Sequence, residues 1–564
     1  MLPKFPKILV KIFIALAAAK ILLSFFILGF NLPPDEPCLL WTARNLASTF
    51  DYQPCSELRG WNAGDAPFLP VIIYSFFYAL FSPVLAFKFS LFFNSVLAAS
   101  LVFPLYNIFK NYIEEDRKII PIIAALTFIP AIFIYEKSVM TEIFFSSSII
   151  WMISFYITGL KSNSTKPKII AFVIAALTLF VRPYGFIAMF ALTANEFFLL
   201  NKKNKIISIL AMVIFAGLVL LLKGGLIFSS LGASIDYASG VGFKEAGIRA
   251  LGSLVTLFNS LSISTLLLPL LVLIFTKGEK VKNIRVFLLS FVVLNILVIF
   301  PRLFIDPTYQ KPLAGGLTSV FGQADASLFE GKSELGALVF RYLNSSTILV
   351  LIFALITLLK GIKAKMKPLH YLQASIVIGL VYFVDIGPTQ MHFVYDYAFL
   401  FDYGTSAFYM IIAFSLALIF LYQKGRSRYL LQSIFAGFFI ISALSFSYNA
   451  NATKISSPDN EIVNFLADKE GDILFIVPPE LKWNATYWAN AVYLDTKVET
   501  GFFFNETLDH TDGSLPDLYK ITEIFDRVIE DFSPDYQSYG HIVTPMELSF
   551  EKVYTGKLYN IYKP

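Results

Sequence analysis

The sequence predicts an α-helical polytopic membrane protein of about 13 transmembrane helices, with a small extracytoplasmic α/β domain at its C-terminal end. Three observations predict it. Of 564 residues, 56% are hydrophobic and only 15% charged, against roughly 25% charged in an ordinary soluble protein. The apolar residues gather in runs of roughly 20, the length that crosses a bilayer core. The cations cluster between those runs in a regular alternation.

Composition also excludes. With 59 Phe and 28 Tyr and a mean hydropathy of +0.67, the chain carries more apolar surface than a soluble core absorbs. The aromatic content excludes disorder, and two cysteines cannot make a disulfide scaffold. A net charge of +5, with the cations dispersed, gives no support to nucleic-acid binding.

The expected spans lie near 8–30, 83–109, 118–135, 142–160, 167–181, 183–200, 205–222, 251–276, 285–301, 335–359, 369–385, 403–422 and 428–448. The lysines of the N-terminus and the long apolar run after them suit an uncleaved first span better than a signal peptide. The run Pro67 to Phe81 is short for a crossing and is expected to lie along the outer surface as a helix. Charge supports that choice. With a cytoplasmic N-terminus, 23 of the 45 basic residues fall in seven short inner segments, as the positive-inside rule requires. Counting 67–81 as a crossing would put several basic clusters outside.

The outer side then carries a long first loop (31–82), further loops, and the tail 449–564, which follows the multispan domain 1–448. Loops of this kind crowded on one face point to chemistry there. In the tail, Asp472 to Val477 is a buried-strand run, Ile521 to Phe532 has helical spacing, and Val553 to Tyr562 alternates around a Thr-Gly turn as a hairpin does. Cys38 and Cys55 share the first outer loop and are either a disulfide or two unrelated thiols. Spacing alone does not bring their Cα atoms together.

Few residues have the type and position for chemistry. Asp35-Glu36 follows Pro33-Pro34 directly after the first span. The pair reads either as a general base at the interface or as a wet loop start. Glu142 heads an apolar run, where a carboxylate is either functional or a helix cap. Arg182, in Val181-Arg182-Pro183-Tyr184-Gly185, could clamp a phosphate bidentately or snorkel to headgroups. Lys88, Lys137 and Arg302 carry the same two readings. In the last outer loop, Tyr395 is a candidate substrate contact and His392 could bind a phosphate or a metal, though a lone histidine is more often structural. Clustered Cys/His metal spacing, a phosphate-binding glycine loop and a nucleophile elbow are all absent.

Taken together, the acidic pair after the first span, the proline-led helix Ala66-Pro67-Phe68-Leu69-Pro70, the second-loop carboxylate, the Arg-Pro turn and the outer α/β domain resemble the GT-C superfamily. These are multispan glycosyltransferases that use polyprenyl-phosphate sugars, dolichyl phosphate among the carriers. Within the superfamily, the chain looks like protein O-mannosyltransferases and the transferase that places aminoarabinose on lipid A. The resemblance makes Asp35 or Glu36 the first-loop catalytic acid and Glu142 the second-loop acid. It makes Arg182 and Lys88 the cations near the donor phosphate. The family's Lys-Pro-Pro or His-Pro-Pro signature stands here as Asp65-Ala66-Pro67, without the cation. The Trp-Trp-Asp-Tyr-Gly signature of oligosaccharyltransferases is absent.

The implied reaction moves a sugar from a polyprenyl-phosphate donor to a hydroxyl of a protein, lipid or glycan, with inversion, at the outer face of the plasma membrane. Asp35 or Glu36 takes the acceptor's proton, and Arg182, helped by Lys88 or Lys137, neutralises the leaving phosphate. Glu142 orients the acceptor, or with Asp35 holds a divalent cation such as Mg or Mn. The competing classes are a transporter or lipid-linked sugar flippase, and a membrane scaffold. Transporters place ionisable groups mid-membrane, and here Lys20 is the main one so placed.

Overall fold

A computed structural model describes residues 5–28, 35–50, 67–182, 185–199, 260–276, 281–305, 340–362 and 400–452. It also describes the strands of one C-terminal sheet and a few residues beside them or standing singly. The helices are α1 (Lys7–Ser24), α2 (Asp35–Thr49), α3 (Phe68–Leu80), α4 (Pro83–Ser100), α5 (Val102–Lys110), α6 (Asp116–Leu126), α7 (Pro130–Phe133) and α8 (Glu142–Ser162). They continue as α9 (Thr165–Leu177), α10 (Phe186–Leu199), α11 (Leu268–Phe275), α12 (Lys282–Ile305), α13 (Phe340–Leu359), α14 (Leu400–Gln423) and α15 (Ser427–Ala452).

Among the described residues, four helices are long and apolar enough to cross a membrane: Pro83–Lys110, Glu142–Ser162, Lys282–Phe300 and Arg428–Asn451. A bent pair, Asp116–Leu126 with Pro130–Lys137, makes a fifth if counted as one span. Large apolar side chains such as Ile14, Leu22, Leu297, Phe439 and Ile440 point outward from these helices or from α1. In lipid such faces are at home, and helices satisfy every backbone group internally. The expected surface run is the helix α3. The expected spans 205–222 and 369–385 lie outside the described residues, apart from Gly217.

Two expected spans are interrupted, each at a proline. The span expected at 118–135 bends by 56° between Leu126 and Pro130. The ring of Pro130 would strike the carbonyl of Leu126, and its missing N–H breaks the ladder. The span expected at 251–276 breaks at Thr265–Leu267, where Leu266 and Leu267 take φ of 54° and 58°. Pro269 stands in the same relation to Thr265, so the helix through 260–264 ends there and α11 starts afresh.

By its internal contacts the chain falls into two compact units. The first comprises 1–18, 96–135 and 141–448. Its centre is α8, which packs against α5, α9 and α13, while α12 packs against α10 and α13. The α8–α9 approach is close at Gly159, where a Cβ would meet Lys168 Cγ at 2.6 Å. Asn163 then ends α8 in the left-handed region, with φ of 49°.

The second unit comprises 19–95, 136–140 and 449–564. There α2 packs on α3, with Tyr52 edge-on to Phe68. The tail forms a seven-stranded mixed sheet in the order β4-β3-β2-β1-β5-β7-β6. The strands are β1 (Ile473–Val477), β2 (Val498–Phe503), β3 (Leu518–Glu523), β4 (Arg527–Phe532), β5 (His541–Thr544), β6 (Glu551–Thr555) and β7 (Asn560–Lys563). β1 runs parallel to β2 and β5, and the other pairs are antiparallel. Leu474, Ile542, Leu548 and Tyr562 make its core. The expected strand at 472–477 and the hairpin over 553–562 are present as β1 and as β6 with β7. Ile521 to Phe532 is no helix; it is the end of β3 and the whole of β4. The end of one strand and the whole of the next, three residues apart, shift the phase of alternation and imitate the 3–4 spacing of a helix.

Candidate active site

The second unit gathers its polar side chains on one short segment, Glu136-Lys137-Ser138-Val139-Met140. Lys20 of α1 is fully buried and donates to Glu136 Oε2 at 2.7 Å. The buried Lys137 ammonium lies 3.0 Å from Glu136 Oε1. It also donates to the Lys20 carbonyl at 2.5 Å, Ser24 Oγ at 2.9 Å and Ser95 Oγ at 3.1 Å. The Ser138 carbonyl accepts from Asn94 Nδ2 at 2.9 Å, and Asn94 Oδ1 accepts from the Tyr74 hydroxyl at 3.0 Å. The Val139 N–H donates to Glu36 Oε1 at 2.5 Å. Successive residues of the segment are thus tied to α1, α4 and α2.

Glu36 reaches that bond from the first turn of α2, where Pro37 suits the helix start; its side chain is 1% exposed. A carboxylate accepting a backbone N–H is held by a charge-assisted hydrogen bond. Beside it, Lys88 donates to the Ile27 carbonyl at 2.5 Å, just past the end of α1.

In the first unit, Glu142 occupies the first turn of α8, where the helix dipole favours an anion. Its Oε1 lies 2.7 Å from Arg182 Nη2, and both side chains are buried. Arg182 also stands over the Phe145 ring, 5.8 Å from its centroid. The turn that carries Arg182 is fixed from within. The Arg182 N–H donates to the Thr178 carbonyl at 3.0 Å, and the Gly185 N–H to the Arg182 carbonyl at 2.9 Å. Thr178 Oγ1 donates to the Gly185 carbonyl at 2.7 Å. Gly185 is required there, because a Cβ would sit 2.1 Å from the Thr178 carbonyl oxygen.

No family model and no curated protein matches the sequence. Solved structures do match. The crystal structure of ArnT from Cupriavidus metallidurans bound to undecaprenyl phosphate is similar over 98% of this chain and 97% of that one, with a TM-score of 0.51 and 11% identity. The fold is that of ArnT. The apo state of the same protein covers the same shares with a TM-score of 0.46. This chain thus has an ArnT-like fold, and its described residues include four helices long and apolar enough to cross a membrane.

Within the ArnT-like fold the expected site residues stand as follows. Glu36 is buried on Val139, and Glu142 and Arg182 form one ion pair. Lys137 belongs to the Lys20–Glu136 cluster, and Lys88 caps a backbone carbonyl. Asp35 opens α2 and Arg302 lies in α12, but their side chains are outside the described residues, as is that of Cys38. Cys55, His392 and Tyr395 lie wholly outside them. Among the described residues, no group of three or more His, Cys, Asp or Glu could hold a metal. Glu142 is in contact with a guanidinium, which suits an anion's counter-charge better than a divalent cation that needs several oxygen ligands.

The Lys20–Glu136 pairing was not foreseen from the sequence. Its signal was there: an ionisable residue inside an apolar run demands a partner, and Glu136 is the acid that supplies it.

Proposed function

We propose that this protein is a GT-C-type glycosyltransferase that moves a sugar from a polyprenyl-phosphate donor to an acceptor hydroxyl at the outer membrane face, with inversion. The observation that carries the reading is the ArnT-like fold over 98% of the chain; the neighbour so matched was solved with undecaprenyl phosphate bound. The buried Glu142–Arg182 pair and the buried Glu36 are consistent with it.

Asp35 is the group proposed to take the acceptor's proton. Glu36 spends one oxygen on the Val139 N–H, which supports giving it the task of holding the 136–140 segment and leaving the base's role to its neighbour. As the acceptor oxygen bonds to the anomeric carbon, the bond to the lipid phosphate breaks and the phosphate leaves with the electron pair. Arg182 neutralises that growing charge. Glu142 holds the guanidinium in place through its 2.7 Å contact, so it acts as a positioning residue. The acceptor hydroxyl belongs to a protein, lipid or glycan, as the resemblance implies.

The test uses membranes carrying the full chain, fed radiolabelled undecaprenyl-phosphate sugars, with label leaving the lipid fraction as the read-out. Asp35→Asn is expected to lower transfer by about 10²-fold or more, within the range of general-base contributions. Glu36→Gln, which keeps an oxygen for Val139, is expected to lower it less. Arg182→Met is expected to slow it by about 10²-fold, the scale of losing one preorganised donor. Label that stays in the lipid and becomes accessible on the opposite leaflet, equally in the parent and all variants, would replace this reading with a flippase. The fully buried Lys20–Glu136–Lys137 cluster is the observation that keeps that second reading in view.

A further inference from the structure

The end of α8 away from Glu142 collects positive charge. At 1.5 Å per residue, Lys161 lies about 28 Å along the helix from Glu142, close to the roughly 30 Å of a bilayer's hydrocarbon core. With α8 crossing a bilayer, the two stand at opposite faces. The last turn of α5 is beside this end, because Asn107 Nδ2 donates to Ser154 Oγ and Thr158 Oγ1 of α8, both at 2.7 Å.

Several cations here are answered by acids. Lys110 pairs with Asp116 at 2.8 Å, Lys118 with Glu115 at 2.6 Å and Lys168 with Glu196 at 2.8 Å. Lys161 is placed differently. Its ammonium lies 4.9 Å from the centroid of the Tyr112 ring, between α5 and α6. Lys360, directly after α13, brings a second ammonium to the same ring at 5.6 Å. Lys161 is exposed, while Tyr112 and Lys360 are partly buried. Three separate stretches of the first unit thus converge on one point. A ring face attracts a cation, but two cations drawn to one ring repel each other, and an anion between them relieves both. Compact ammonium groups beside a phenol supply the N–H and O–H donors that phosphate oxygens accept.

The position selects the kind of phosphate. Lys161 and Lys360 stand where two apolar helices end, at the depth of lipid headgroups. On α9, which packs along α8, Ile169, Val173 and Leu177 point outward at four-residue spacing, 57%, 53% and 47% exposed, and offer acyl chains an apolar lane. A phosphoglycerol headgroup brings one negative charge and no cation, whereas phosphocholine carries an ammonium of its own.

We infer that Tyr112, Lys161 and Lys360 form a binding site for the phosphate of an anionic phospholipid, in the leaflet opposite the candidate active site. The inference stands apart from the proposed glycosyl transfer.

The experiment is thermal unfolding of the purified full-length protein in detergent, titrated with phosphatidylglycerol, phosphatidylcholine or inorganic phosphate. Phosphatidylglycerol is expected to raise Tm and the other two to leave it unchanged. Lys161→Gln and Lys360→Gln are each expected to raise the phosphatidylglycerol concentration giving half the shift about fivefold, the worth of one lysine near an anionic lipid surface. Lys118→Gln, which removes a lysine already paired with Glu115, is expected to leave that concentration unchanged. Equal losses in all three variants reduce the effect to surface charge at large and overturn the site. A shift that survives both Lys161→Gln and Lys360→Gln also overturns it, and loss of that shift in Arg182→Met would place the lipid at the Glu142–Arg182 pair instead. A response to inorganic phosphate equal to that to the lipid overturns the lipid as occupant, and no response to phosphatidylglycerol overturns the site.

Discussion

Lys20 and Lys137 bring two ammonium groups into a place without water, and one carboxylate, Glu136, answers both. Removing water from an ion costs several kcal/mol, repaid only by close contacts such as these. Breaking such a group by deleting one member strands the others. Glu136→Gln is therefore expected to destabilise the protein by about 3–5 kcal/mol, read as a fall in the thermal unfolding midpoint in detergent. A triple variant that replaces both lysines with Met alongside Glu136→Gln is expected to recover much of the loss, because it leaves none of the three buried charges behind. Single residues of this kind were half legible in the sequence. The oddity of Lys20 was visible, but its partner lies 116 residues away, and nothing local announces a contact at that range.

At the scale of elements, the prolines decide more than the hydrophobic runs do. Runs of apolar residues located most of the helices, since length and hydropathy are local properties. They could not show that Pro130 and Pro269 end helices inside the runs, because hydropathy ignores a missing N–H. The helical spacing over 521–532 misleads for a related reason: the end of β3 and the whole of β4 together mimic the spacing of one helix. The turn carrying Arg182 is the element where the consequence for function is sharpest. Gly185→Ala would push a methyl group into the Thr178 carbonyl, a backbone atom that cannot swing aside. The expected result is a displaced Arg182, with transfer lowered by about 10²-fold while Arg182 itself is intact. Gly159→Ala would meet Lys168 Cγ at 2.6 Å and backbone atoms of Lys168 and Ser164 at 3.1 Å; it is expected to lower Tm by parting α8 from α9 while leaving the Arg182 turn in place and transfer within a few-fold of the parent. Measuring both in one transfer assay separates the two cases.

For the molecule as a whole, the fold class followed from composition and charge, and the C-terminal sheet followed in part, because its edge hairpin and central strand have simple patterns. The sheet also sets a pH limit. His541 lies on β5, next to β1. Burial, with the positive charges of Lys469 and Lys563 behind it, holds its imidazole below the usual histidine range. A folded-state pKa below the unfolded one means that His541 favours the fold fully above about pH 6.5. That contribution is lost as pH falls through the lower, folded value. The protection factors of residues 541–544, that is, exchange corrected for its intrinsic pH dependence, are expected to fall between about pH 7 and 5, and His541→Gln to flatten that dependence.

The bond between Lys20 and Glu136 has a further consequence, for biogenesis. The first helix leaves the ribosome long before the residue that neutralises it is made. Until Glu136 arrives, a helix carrying a bare cation must wait at the membrane, at a cost of about 2.5–3.5 kcal/mol for a lysine near its centre. α1 is therefore expected to insert less completely in a chain cut short before Glu136 than in one that includes it, and Lys20→Leu to remove the difference, read as the inserted fraction of truncated chains. The ion pair of the finished protein thus ties the fate of α1 in the membrane to a residue made 116 positions later.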